Sequence, residues 1–305
     1  MSSASLRALL ATSIDYAGLF PPASLSLEPA LRNHAHYVRS GDAWMLGTFI
    51  LPIDKFGETS ASLSQFDVVN RLRISALGAK SEIPEGFHAA LKEAAEAIRV
   101  FNARNGAVAA ISQIEMALPT NPGAVVAEID QALAGLAIPA FWEAAADDAE
   151  LTIGSLAGYN RKRGASAFGF KLRTGGVIAS AFPSSVQIAR ALVCAVEHRV
   201  PIKFTAGLHH PIRQFHSSVQ AKMHGFLNVL GAGVMAAEHA WNVQQTAAML
   251  EDEEASDFVF DDAGFSWREW KITTERIEIE RKLFTSLGSC SFDEPRDDLR
   301  ALNLF

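Results

Sequence analysis

The chain has 305 residues, 49% hydrophobic and 20% charged, the composition of an ordinary soluble globule with enough apolar material for a large core. A formal net charge of −7 and the lack of any Lys/Arg-rich run argue against a nucleic-acid partner. Two cysteines, Cys194 and Cys290, make neither a disulfide framework nor a cysteine-built zinc site, and no metal or other cofactor is expected.

The opening stretch "MSSASLRALLATSIDYAG" carries one Arg and a broken apolar run, short of a secretory signal or a membrane span. The expectation is a cytoplasmic protein with no membrane partner, and these totals are compatible with a homo-oligomer. Short apolar runs bounded by Gly, Pro or Asn then recur along the chain, and each predicts a strand: 12–18, 43–52, 71–79, 106–119, 138–145, 167–176 and 201–208. Helical periods fall between them. "LEPALRNHAHYVRSG" has Pro29 near its start and Gly41 at its stop. "GFHAALKEAAEAIRVFN" puts Phe87, Leu91, Ala94, Ala95 and Ile98 on one face. "TNPGAVVAEIDQALAGLAIP" opens on an Asn-Pro cap, and "FPSSVQIARALVCAVEHRVP" opens at Pro183-Ser184 and ends on His198 and Arg199, which suit the helix dipole.

Continuous apolar strands alternating with helices at intervals of roughly thirty residues indicate parallel strands covered on both faces. About eight such units predict an α/β chain folded as a single (β/α)8 TIM-type barrel over 1–305. An open doubly wound sheet is disfavoured because no Gly-x-Gly-x-x-Gly turn follows any strand. Two segments compete for the eighth strand, "GFLNVLGAG" (225–233) and 256–260; the former also reads as the start of a helix. From residue 268 the pattern predicts an amphipathic helix and then a surface tail, a C-terminal extension over 268–305.

In a parallel barrel, function sits at the carboxyl ends of the strands. The polar residues expected there are Asp15 and Tyr16, Asp54, Ser75, Gln113 and Glu115, Glu143, Lys171 and Arg173, Lys203 and Thr205, then His209 and His210, with Asn228 on the next candidate strand and Thr174 and Arg213 in the loops after their strands. Two lysines in strongly apolar strands are costly unless they point into a polar site or are paired. On neighbouring strands they would be close, and a partly desolvated lysine beside another cation has a depressed pKa. Its free amine can attack a carbonyl and form an imine, with Glu115, Glu143 or Asp15 moving protons. Anion binding by the lysines and structural ion pairing are the competing readings.

Lys171-x-x-Thr174-Gly175 and Lys203-x-Thr205-x-Gly207 resemble the paired lysine motifs of the class I (Schiff-base) aldolases of the deoxyribose-phosphate aldolase type. The resemblance covers two short segments. It implies a (β/α)8 enzyme in which Lys171 forms the imine and Lys203 lowers its pKa. The chain departs from that family in the loop "AGLHHPIR", where a glycine pair suited to phosphate would stand, and at Arg173, where the family has a small hydroxyl residue.

Together these features predict a lyase or aldolase-like enzyme for a small anionic carbonyl compound. Arg173, Thr174, Thr205, His209, His210, Arg213, Asp15 and Asn228 would bind that substrate. A metal-dependent lyase or isomerase built on the His209/His210 loop with Glu143 and Glu115 is the second reading. A non-catalytic barrel that binds an anionic ligand is the third.

Overall fold

The computed structural model describes residues 2–119, 126–162 and 168–305. Its centre is a closed eight-stranded parallel barrel. The first seven strands follow in chain order: β1 (Ile14–Tyr16), β2 (Leu46–Pro52), β3 (Leu72–Leu77), β4 (Ala109–Ala117), β5 (Ala140–Ala144), β6 (Phe168–Arg173) and β7 (Ile202–Thr205). A hairpin, β8 (Gln214–His216) with β9 (Ala221–Met223), and an antiparallel meander, β10 (Phe258–Phe260), β11 (Gly264–Trp267) and β12 (Trp270–Thr273), come next. β13 (Phe284–Ser289) closes the barrel between β1 and β7.

The predicted strands appear at the predicted places because apolar runs of this length bury both faces only in such a sheet. The helices between them lay their apolar stripes on the barrel. In Pro84–Asn105 the buried residues are Phe87, Leu91, Ala94, Ala95, Ile98 and Phe101. Ser185–His198 begins with a capping box: Ser184 Oγ accepts from Gln187 N at 3.3 Å, and Gln187 accepts from Ser184 N at 2.8 Å. This helix belongs to Ala179–His198, a stretch long and apolar enough to cross a membrane by composition alone; here it packs within the outer helical layer. The predicted Asn-Pro cap before Val126–Ala132 lies outside the described residues.

Neither candidate for the eighth strand occupies that place. Residues 225–233 form the start of a helix, Phe226–His239, and 256–260 contribute to β10 at the edge of the meander. The glycines that suggested strand boundaries serve close packing. A Cβ on Gly233 would come within 2.7 Å of the Phe284 ring, so this helix lies tightly on β13. The region after 268 does hold helices, Thr274–Glu280 and Asp293–Ala301, but the closing strand runs between them instead of one continuous helix. Thr, Ser and Gly interrupt "FTSLGS", and only the empty place between β1 and β7 makes it a strand.

At the amino-terminal end of the barrel Arg281 is buried and donates to the carbonyls of Leu9, Ala11 and Thr285. The opposite, carboxyl-terminal end is where the polar side chains gather.

Candidate active site

Register brings the charged residues together. Glu143 of β5 pairs with Lys171 of β6, which pairs with Lys203 of β7. Their side chains form a ladder of alternating charge through the barrel interior. Asp15 contacts Lys203 Nζ, which lies 2.8 Å from Glu115 Oε1. Lys171 Nζ lies 2.9 Å from both Glu115 Oε2 and Glu143 Oε2. Arg173 closes the row at 3.2 Å from Glu143 Oε1.

Hydroxyl and amide groups hold the inner end. Asp15 accepts from Thr48 N at 2.5 Å, Thr48 Oγ1 at 2.7 Å and Ser286 Oγ at 2.6 Å. Ser75 Oγ donates to Glu115 Oε1. Buried ions are tolerated when paired and hydrogen-bonded in this way.

The electrostatics follow from that pairing. Burial opposes ionisation of Glu115, but Lys171 and Lys203 outweigh it and hold its pKa down at about 2. Burial opposes ionisation of Glu143 as well, and Lys171 and Arg173 bring its pKa below the usual carboxylate value. Desolvation works against both ammonium groups, yet the flanking carboxylates raise both lysine pKa values, Glu115 and Glu143 for Lys171, Asp15 and Glu115 for Lys203. The expectation that mutual repulsion leaves one amine unprotonated is therefore corrected. Glu115 stands between the cations and replaces repulsion by attraction.

Above the ladder a cavity of about 530 Å³ opens at the barrel mouth, a size that suits a small organic ligand. Lys171, Glu143, Arg173, Thr205 and His209 lie on its wall. Lys203, Glu115 and Asp15 do not; they are sealed beneath it, almost wholly inaccessible. Lys203 is thus a residue that positions Glu115 from below, and Asp15 anchors Lys203 rather than meeting a substrate.

Other predicted binding residues do different work. Thr174 is buried and donates from Oγ1 to Ala206 O at 2.6 Å, tying the loop after β6 to the loop after β7. A Cβ on Gly175 would come within 2.8 Å of Gly207 Cα. Gly207 also has φ +78°, which favours glycine. The two motif glycines and Thr174 are accounted for by this backbone contact, while Thr205 lies on the cavity wall. Arg213 lies 3.1 Å from His224 Nδ1 and 3.8 Å from Glu253, off the cavity wall. Asn228 sits in the helix Phe226–His239 and bonds the backbone of Arg213, Met249 and Asp252; it is a fold-holding residue, not a strand-end ligand.

The histidine loop divides between two carboxylates of the C-terminal segment. His209 Nδ1 lies 3.3 Å from Glu294, and His210 Nδ1 lies 2.6 Å from Asp298. Burial lowers the His209 pKa, but Cys290 and Glu294 outweigh it and lift it to about 9. Among the described residues, no three His, Cys, Asp or Glu side chains converge as a metal's ligand set. His210 stacks on His216 with ring centroids 5.3 Å apart and lines a neighbouring cavity.

Three contributors carry no mark in the sequence that sets them apart. Thr48 is hidden in the apolar run of β2. Ser286 and Cys290 fall in the segment read as helix and tail. Cys290 lines the cavity with its Sγ 3.8 Å from His209 Nδ1. Residues 284–290 carry no period-two pattern, since Thr285 and Ser286 are adjacent and Ser289 follows three positions later, so the segment held no strand signal of its own.

Compared with protein-family models, with curated proteins and with solved structures, the chain matches none.

Proposed function

We propose that this protein is a lyase-like enzyme acting on a small anionic carbonyl compound at the barrel mouth, with Lys171 as the residue that meets the carbonyl carbon. The observation that carries this reading is the placement of Lys171. Of the two lysines it alone reaches the cavity, and it has a carboxylate on the same wall, Glu143, 2.9 Å away. Lys171 has to give up a proton to Glu143 as the substrate enters, against the pairing that raises its pKa. The amine adds to the carbonyl carbon and passes one N–H proton to the carbonyl oxygen; the carbon–oxygen bond then breaks as water leaves with a second proton, the one returned by Glu143. The protonated imine then accepts the electron pair of an adjacent breaking carbon–carbon or carbon–hydrogen bond. Glu115, held ionised from below by Lys203, stays beside the iminium and offsets its charge.

The test is borohydride reduction in the presence of candidate aldehydes and 2-oxo acids, read by peptide mass. A mass adduct on Lys171, lost in Lys171→Arg and unaffected by omitting metal, is the expected result. The absence of an adduct across a broad panel overturns the imine step.

The raised pKa of Lys171 favours a second, non-covalent reading. There Lys171 remains an ammonium, donates to the carbonyl oxygen, and stabilises the enolate formed when Glu143 removes a neighbouring proton. Deuterium exchange at the carbon next to the carbonyl, dependent on Lys171 but without a trapped adduct, distinguishes it.

A further inference from the structure

We infer that the mouth cavity takes a singly charged carbonyl compound with a hydrocarbon body, not a phosphorylated sugar; the inference rests on the carbonyl reading of Lys171 only for which end of the ligand faces inward.

The first observation is that, among the described residues, each cation on the cavity wall lies within 4 Å of a carboxylate. Lys171 has Glu115 and Glu143, and Arg173 shares Glu143. Lys80 lies 3.7 Å from Glu82, and His209 lies 3.3 Å from Glu294. A phosphate dianion entering here would have to compete with these carboxylates for the buried donors, Lys171 and His209, while the exposed Lys80–Glu82 pair holds its lysine only weakly. The guanidinium of Arg173 is half-exposed and keeps room for one further anionic oxygen pair.

The second observation is the apolar side of the same wall. Phe20, Pro22, Ile50 and Leu77 face the charged end, and the loop after β6 brings Val177 and Ile178 to the rim. These two side chains are 58% and 60% exposed, adjacent in sequence and at the mouth of a formed cavity. Large apolar side chains at such a rim have a physical rationale when a ligand covers them. Val177 also borders the neighbouring cavity of about 260 Å³, where Val219 and Met223 continue the apolar surface. The wall therefore offers a hydrocarbon chain or ring a path outward from Lys171, under the loop and past Val177. Transfer of such a body from water supplies affinity that the neutralised charges cannot.

The test is calorimetry and saturation-transfer NMR on the intact chain with two probes, 4-phenyl-2-oxobutanoate and glyceraldehyde 3-phosphate. The hydrocarbon probe is expected to bind at least about tenfold more tightly. Saturation should be strongest at its ring protons. Val177→Asp with Ile178→Asp should weaken that binding by about tenfold while the melting temperature holds, because both side chains are already in water. Equal or tighter binding of the phosphorylated probe, no binding of the hydrocarbon probe, or unchanged affinity in the double variant overturns the inference. Binding is read without turnover, so the two proposals fail separately. A hydrocarbon probe that binds but never traps on Lys171 removes the imine step alone. A phosphorylated aldehyde that traps on Lys171 removes the ligand class alone.

Discussion

Lys171 and Lys203 stand in register on adjacent strands, and Glu115 reaches in from β4 to place one carboxylate oxygen 2.9 Å from the first and the other 2.8 Å from the second. Two amines that neighbouring strands would otherwise press together become parts of one ordered row of charges. The row runs from a sealed end at Asp15 to a solvent-facing end at Arg173, and only its outer half reaches the cavity.

Removal of the sealed cation should therefore damage folding before chemistry. Lys203→Met leaves Asp15 and Glu115 facing each other in a buried site and is expected to cost about 3–5 kcal/mol of stability. Chemical denaturation measures it. A loss below about 1 kcal/mol would mean that the inner ion pairs contribute little. Asp15→Asn in the Lys203→Met background should recover part of the loss by removing one unpaired charge.

Glu143→Gln should instead act on reactivity. Its loss takes away one of the two carboxylates that raise the Lys171 pKa, so the amine becomes available at lower pH. Labelling of Lys171 by a lysine-selective reagent, followed across pH by mass spectrometry, should shift toward acid relative to the parent chain. A profile that stays in place would show that Glu115 alone sets the protonation of Lys171.

The pH range of stability follows from the same groups. Glu115 has a folded pKa of about 2 against a reference of 4.5, so its stabilising contribution is complete above about pH 4.5 and lost as pH falls toward 2. Both lysines are raised above 10.5, so their contribution is complete below that value and lost as pH climbs through their folded pKa values. Denaturation midpoints measured across pH should be flat between these limits with respect to the ladder and fall outside them. A steep fall near pH 7 would have to come from other groups.

The two thiols should separate under alkylation. Burial, with Glu150 and Glu197 nearby, pushes the Cys194 thiol up to about 11, and that side chain packs among helices. Cys290 lies on the cavity wall beside His209. Iodoacetamide should modify Cys290 first in the native protein, and an occupied cavity should slow the reaction. Faster labelling of Cys194 would show that the cavity does not admit the reagent.

Closure of the barrel depends on close approach of a helix to its last strand. Gly233→Val places methyl groups against the Phe284 ring and is expected to cost about 1–3 kcal/mol, read by thermal unfolding. A neutral outcome would mean that the ring moves aside freely.

The barrel was legible because its information is local. Seven apolar runs of strand length, separated by helical stripes such as Phe87–Leu91–Ala94–Ile98, can satisfy their backbones and bury their faces in few ways, and a parallel barrel is one of them. The motif lysines were legible for the same reason, since a charge in a buried strand stands out against its neighbours. β13 was not, because "FTSLGS" has little strand character by itself; its place is decided by the gap between β1 and β7.

The sign of the lysine pKa shifts also lay beyond the sequence. It depends on whether the nearest charge to each amine is the other lysine or a carboxylate from elsewhere on the ring, and Glu115 is 56 positions from Lys171 along the chain. Composition and periodicity determined that this chain folds as a barrel and that Lys171 and Lys203 lie on adjoining strands. Only the closed barrel decided that Glu115 separates them and that one of the two reaches a cavity, because side-chain distances across a barrel are set by strand order and register, which no local pattern encodes.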